Sequence, residues 1–223
     1  MIESVVKESY LQQRSRGLDS RNWKPLPGTE KEGKSISKII NANYLSKEKA
    51  TALIVQEQKA PKVLHIASHA FFQEDTEKVV NPLLRSGIVM AGANHPDANN
   101  EDDGYLTALE VAKIDWKGTE MVVISGCESG RGEIQSGEGL YGLKRSITVA
   151  GSRSSLLSLW KVDDVATAAF MKIFYEKLKA GEGRADALAA TQKEFKNHPI
   201  PKWRHPYVWA AFQLNGDWRS IKW

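Results

Sequence analysis

The hydrophobic pattern divides the chain into short apolar runs separated by helical stretches and turn-rich segments. KVLHIAS (62–68), MVVIS (121–125) and SSLLSLW (154–160) have the length and continuity of strands buried on both faces. YVWAAFQL (207–214) reads as a last strand, and residues 88–91 as a short one between turns. Helices are predicted over 29–40 and over 46–59, where Ala52, Ile54 and Val55 supply the apolar positions. Thr107-Ala-Leu-Glu110 matches a capping box and opens a short helix. Further helices are predicted over 140–150, from a cap at Asp163 or Asp164 to Lys179 with Gly181 as the stop, and over 184–196. Strands alternating with helices give an α/β fold, a three-layer α/β/α sandwich on a mostly parallel central sheet.

Composition narrows the function classes. The 223 residues, 41% hydrophobic and 26% charged, are ordinary for a globular chain that buries a core. The formal charge of +4 is spread without a run of five like charges, so nothing favours nucleic acid. No stretch approaches the roughly 18 apolar residues of a membrane span. The N-terminus, MIESVVKESYLQQRSRG, carries no apolar leader core. One cysteine excludes an internal disulfide and a thiolate zinc site. The five histidines, His65, His69, His95, His198 and His205, form no paired metal-ligand motif, and no cofactor is implied. A cytoplasmic location, where a lone thiol stays reduced, is the expectation.

The remaining chemistry lies at two strand ends. In open parallel sheets, ligands bind outside the carboxyl ends of the strands. His69 follows the run 62–68, and Cys127 follows 121–125 inside GCESGRGEIQSGEG, whose five glycines allow close backbone packing. Were those strands neighbours, the imidazole could activate the thiol while loop amides stabilised an oxyanion. A histidine roughly 50 residues upstream of the cysteine is the caspase-type spacing, and the gap here is similar. Taken singly, each residue is more readily structural than catalytic, and the two gain weight only jointly. His65, inside the strand, reads as a packing or satisfied polar group.

Several motifs in order then carry a resemblance: HIASHA (65–70), NPLLRSGIVMAG (81–92), DGYLTALEVAKID (103–115), ISGCESGRG (124–132), GEGLYGLKRSITVAGSRSSLLSLWKVDDVAT (137–167) and HPYVWAAFQLNGDW (205–218). Together they resemble the CHAT domain, a caspase-like, separase-related cysteine peptidase domain often found with tetratricopeptide repeats in bacteria. The resemblance implies a caspase-like fold over 26–223 behind a polar arm, 1–25. It leaves three alternatives for the family's early strand segment: naturally absent, truncated, or supplied by a partner. It implies His69 and Cys127 as the catalytic pair, with the amides of Ala70 and Cys127 as the oxyanion hole. Ala70 stands where the family usually has Gly, and Gly126 where it usually has Ala.

Relatives that favour basic P1 residues point to Glu133, Glu138, Asp163 and Asp164 as candidates for the substrate pocket. The expected substrate is a protein or peptide. A tetratricopeptide-repeat or N-terminal partner is the expected associate, with neither nucleic acid nor membrane. The alternative function is an inactive or partner-dependent interaction module in bacterial signalling or defence.

Overall fold

The computed structural model describes residues 22–72, 81–95, 102–126 and 138–223. Four strands form the central sheet: β1 (Val63–Ile66), β5 (Met121–Ile124), β6 (Ser154–Ser158) and β7 (Phe212–Gly216). Their order is β1-β5-β6-β7, with β1, β5 and β6 mutually parallel and β7 antiparallel to β6. A second, three-stranded antiparallel sheet contains β2 (Ala70–Phe72), β3 (Ser86–Val89) and β4 (Tyr105–Thr107).

The sandwich follows from the two-residue period of the strands. In β5, Met121 and Val123 enter one apolar cluster while Val122 and Ile124 enter another. The first cluster is closed by α1 (Pro27–Ile40), α5 (Asp164–Lys179) and α6 (Arg184–Lys196), with Ile36, Phe170, Phe174 and Phe195 at its centre. The second is closed by α2 (Ala52–Gln56), α3 (Ala108–Val111) and α4 (Glu138–Ala150), through Val55, Val111, Leu143 and Ile147.

Most predicted elements are present, α6 with the expected bounds. The capping box of α3 forms with both reciprocal bonds, Glu110 N to Thr107 Oγ1 at 3.3 Å and Thr107 N to Glu110 Oε2 at 2.8 Å. Three expectations change. The helix over 46–59 breaks into a 3₁₀ turn, Lys47–Lys49, and α2. Lys47 adopts φ 54°, and Thr51 caps afresh by accepting from Ile54 N. The strand over 207–214 begins only at Phe212, because Pro206 starts a helical turn, α7 (Pro206–Trp209). The short strand over 88–91 lies earlier, as β3, and belongs with β2 and β4 in a sheet that the periodicity did not separate. Trp23, in the stretch expected to be a polar arm, is buried against Phe71, Val89 and Tyr105 of that sheet.

Candidate active site

β1 and β5 are hydrogen-bonded neighbours running in register from Val63 opposite Met121 to Ile66 opposite Ile124. Their carboxyl ends therefore lie on one edge of the sheet, as the strand-end argument requires. His69 sits between the end of β1 and the start of β2, at the junction of the two sheets. Cys127 and Glu133 lie outside the described residues, and the side chain of Glu138, at the start of α4, does too.

The two strand-end loops meet through Gly126. A Cβ placed there would lie 1.5 Å from the Ser68 carbonyl oxygen and 3.5 Å from the Ala70 nitrogen. Space rather than backbone freedom thus selects glycine at 126. The carbonyl of Ser68 and the amide of Ala70 are brought against the residue preceding Cys127.

Ala70 carries no strain. Left-handed backbone at non-glycine residues occurs at Asn41, Lys47 and Ala60 among the described residues, and not at Ala70. Val89 N donates to His69 O at 2.8 Å, one position before the Ala70–Ile88 pair. By the alternation of antiparallel ladders, Ala70 is then in a non-hydrogen-bonded pair, and its N–H turns away from β3.

The His69 ring is fixed on one side. Nε2 lies 2.7 Å from the carbonyl oxygen of Lys24. A carbonyl only accepts, so Nε2 carries the proton and the neutral ring keeps its lone pair on Nδ1. Trp23 packs on the imidazole with ring centroids 5.3 Å apart. Trp23 is itself held, by Nε1 donating to Tyr105 Oη at 3.0 Å and by Asn94 Oδ1 accepting from its backbone N–H at 2.9 Å.

Beside His69 is a cavity of about 230 Å³. His69, Ser125, Gly126, Glu32, Asp164 and Thr167 are among its lining residues. Asp163 also lines it, but its carboxylate caps α5, accepting from Ala166 N at 2.9 Å. Asp164 has a different duty: its carboxylate accepts from Gly28 N, closing the first turn of α1 from a neighbouring helix. Burial pushes the Asp164 carboxyl above the usual aspartate range. The Gly28 N–H opposes that rise, repulsion from Glu32 and Asp163 adds to it, and attraction to His69 lowers it.

Glu32 is the carboxylate that sequence reading passed over. Gly28, Glu32 and Ile36 form the buried stripe of α1, four residues apart. Glu32 is 1% exposed. Its Oε1 accepts from His65 Nε2 at 2.8 Å, while His65 Nδ1 lies 3.0 Å from the Tyr175 hydroxyl. His65 is thus the satisfied polar group expected of it. Burial first, and then the Glu32 charge, hold the Tyr175 phenol protonated. Trp160 and Trp209 are half-buried against the first apolar cluster.

A histidine presented at the strand ends of a mostly parallel sheet flanked by helices defines an α/β fold of the caspase-like type. The CHAT domain profile matches residues 5–217, and the chain belongs to that family of caspase-like peptidase domains. Among curated proteins it is similar to Tetratricopeptide repeat protein 28 from Homo sapiens and its namesake from Mus musculus. Each is 23% identical over 227 residues covering 90% of this chain. The chain spans 9% of the length of those relatives. No helix among the described residues is long and apolar enough to cross a membrane.

Proposed function

We propose that the chain is a cysteine endopeptidase in which Cys127 is the nucleophile and His69 the base and acid, with a preference for basic P1 residues. The observation that carries this reading is the His69 imidazole, whose Nε2 faces the Lys24 carbonyl and leaves Nδ1 as the other ring nitrogen, at the end of a strand adjoining β5. Nδ1 takes the proton of the Cys127 thiol, and the thiolate adds to the scissile carbonyl. The oxyanion accepts from the amides of Ala70 and Cys127. The tetrahedral adduct collapses to a thioester as His69 protonates the departing amine, and water, deprotonated by His69, then releases the acid. Glu133, Glu138, Asp163 and Asp164 remain the pocket candidates from sequence, and the setting is the cytoplasm.

The test is covalent labelling of the full chain by an electrophilic peptide with Arg or Lys at P1. Labelling is expected at Cys127 and is expected to fall by at least about a hundredfold in His69→Ala. Undiminished labelling without His69 rejects the dyad. A second reading, a partner-dependent or catalytically silent interaction module, is favoured by the relatives' name, since the matched region is a small part of a tetratricopeptide repeat protein. Labelling that appears only on adding a repeat-containing partner decides for it.

A further inference from the structure

Asn94 stands on the chain between β3 and β4, yet its side-chain amide is given over to the backbone of a residue far away in sequence. Oδ1 accepts from Trp23 N at 2.9 Å, and Nδ2 donates to Trp23 O at 2.9 Å. The amide meets Trp23 as a neighbouring strand would, holding its donor and its acceptor together. Asn94 is itself exposed, and its amide makes no other hydrogen bond among the described residues. The double bond to one backbone unit is therefore not a by-product of burial.

The turn that carries Asn94 is tight. Gly92 adopts φ 96°, His95 N donates to Gly92 O at 2.8 Å, and a Cβ on Gly104 would lie 2.1 Å from Ala93 N. Ala93, one residue before Asn94, is buried in the cluster that also contains Trp23 and Tyr105. Asn94 is thus presented from a fixed backbone. On the receiving side, Trp23 is pinned at a second point, since its Nε1 donates to Tyr105 Oη at 3.0 Å. Lys24 follows, and Pro25 after it disfavours any but extended backbone there. With Trp23 clamped and Lys24 extended, the direction of the Lys24 carbonyl is set, and that oxygen lies 2.7 Å from His69 Nε2. An acceptor facing one ring nitrogen decides which of the two carries the proton of a neutral imidazole.

We propose that Asn94 is a positioning residue for His69. By clamping Trp23 it aims the Lys24 carbonyl at Nε2, so that the neutral ring carries its proton there and keeps Nδ1 as the acceptor. Asn94 acts through two main-chain units and touches none of the reacting atoms. Its catalytic meaning rests on the peptidase reading, whereas the clamp and the tautomer it sets do not.

The test uses the full chain with its histidine nitrogens isotopically labelled, at a pH about two units above the ordinary imidazole value of about 6.5. The nitrogen NMR shifts of His69, assigned by their loss in His69→Ala, report which ring nitrogen is protonated. Nε2–H is expected in the parent chain, and a mixture of the two tautomers in Asn94→Ala. Because Asn94 is exposed, the melting temperature of Asn94→Ala is expected to stay within about 2 °C of the parent. Asn94→Asp keeps the acceptor for the Trp23 N–H and loses the donor to Trp23 O, so its tautomer ratio is expected to fall between the two. It also serves should Asn94→Ala fail to fold. Labelling of Cys127 by the electrophilic peptide with Arg at P1 is expected to slow by about tenfold or more in Asn94→Ala. A parent ring protonated on Nδ1, or an Nε2–H tautomer unchanged in the folded variants, overturns the assignment. Labelling at the parent rate with that tautomer unchanged overturns the clamp and leaves the peptidase. A tautomer shift in Asn94→Ala with no labelling of Cys127 in the parent supports the clamp and removes the peptidase.

Discussion

Arg184 and Glu32 are both charged and both buried, at 0% and 1% exposure, yet their surroundings serve them very differently. Arg184, at the start of α6, donates Nη1 to the Arg219 carbonyl at 2.7 Å and Nη2 to the Glu120 side chain and, at 3.1 Å, its carbonyl. Asp217 Oδ1 lies 3.6 Å from Nη1. Two carboxylates thus answer one guanidinium, and the chain's last segment is fastened to α6 and to the start of β5. Glu32 has the His65 imidazole on one oxygen and, among the described residues, no hydrogen-bond partner on the other. A guanidinium met by two carboxylates is a fastening, whereas Glu32 leans on a single imidazole through one of its two oxygens.

Substituting each in turn would break or sharpen that contrast. Arg184→Met is expected to have the largest effect on stability, about 3 kcal/mol in denaturant unfolding. The figure sits at the low end for a buried pair because Glu120 and Asp217 keep some access to water, at 21% and 14% exposure. Glu32→Gln should change stability by no more than about 1 kcal/mol, since Oε1 of the amide still accepts from His65. A loss as large as that of Arg184→Met would make Glu32 a fastening too.

The smallest effect concerns pH. Bonds from Arg219, with the charges of Arg219 and Arg184, hold the Asp217 carboxyl well below the usual range. A depressed folded-state pKa contributes stability above the ordinary aspartate value, about 4, and loses it as pH falls through and below that value. Asp217→Asn is therefore expected to flatten the decline of stability below about pH 4, as followed by thermal melting. An unchanged slope would mean that Asp217 adds nothing to the Arg184 fastening.

Much of the fold was legible because period and punctuation agree. The central strands are continuous apolar runs, Gly181 adopts φ 98° where α5 ends, and Asp163 caps α5 as one of the two aspartates had to. The second sheet was not legible, since three-residue strands such as Ala70–Phe72 are too short to show a period. Pro206 overrode an apolar run that favoured strand. At the site, His69 and the strand-end geometry could be read from spacing. Glu32 could not: TEKEGKS reads as a solvated helical face, and it is the packing of α1 on α5 and the bond to His65, both distant in sequence, that bury it. Nor did the sequence reveal Trp23, a tryptophan in a polar stretch, as the wall behind the imidazole.

The bond from His69 to Lys24 has a consequence for genetics. The accepting atom belongs to the main chain, so every residue substituted at position 24 brings the same oxygen. Side-chain scanning of residues 22–26 would register position 24 as silent however much the imidazole depends on it. Its importance is recorded instead in whatever fixes the path of that stretch, and in a scan Trp23 and Asn94 would speak on behalf of a neighbour that cannot be mutated away.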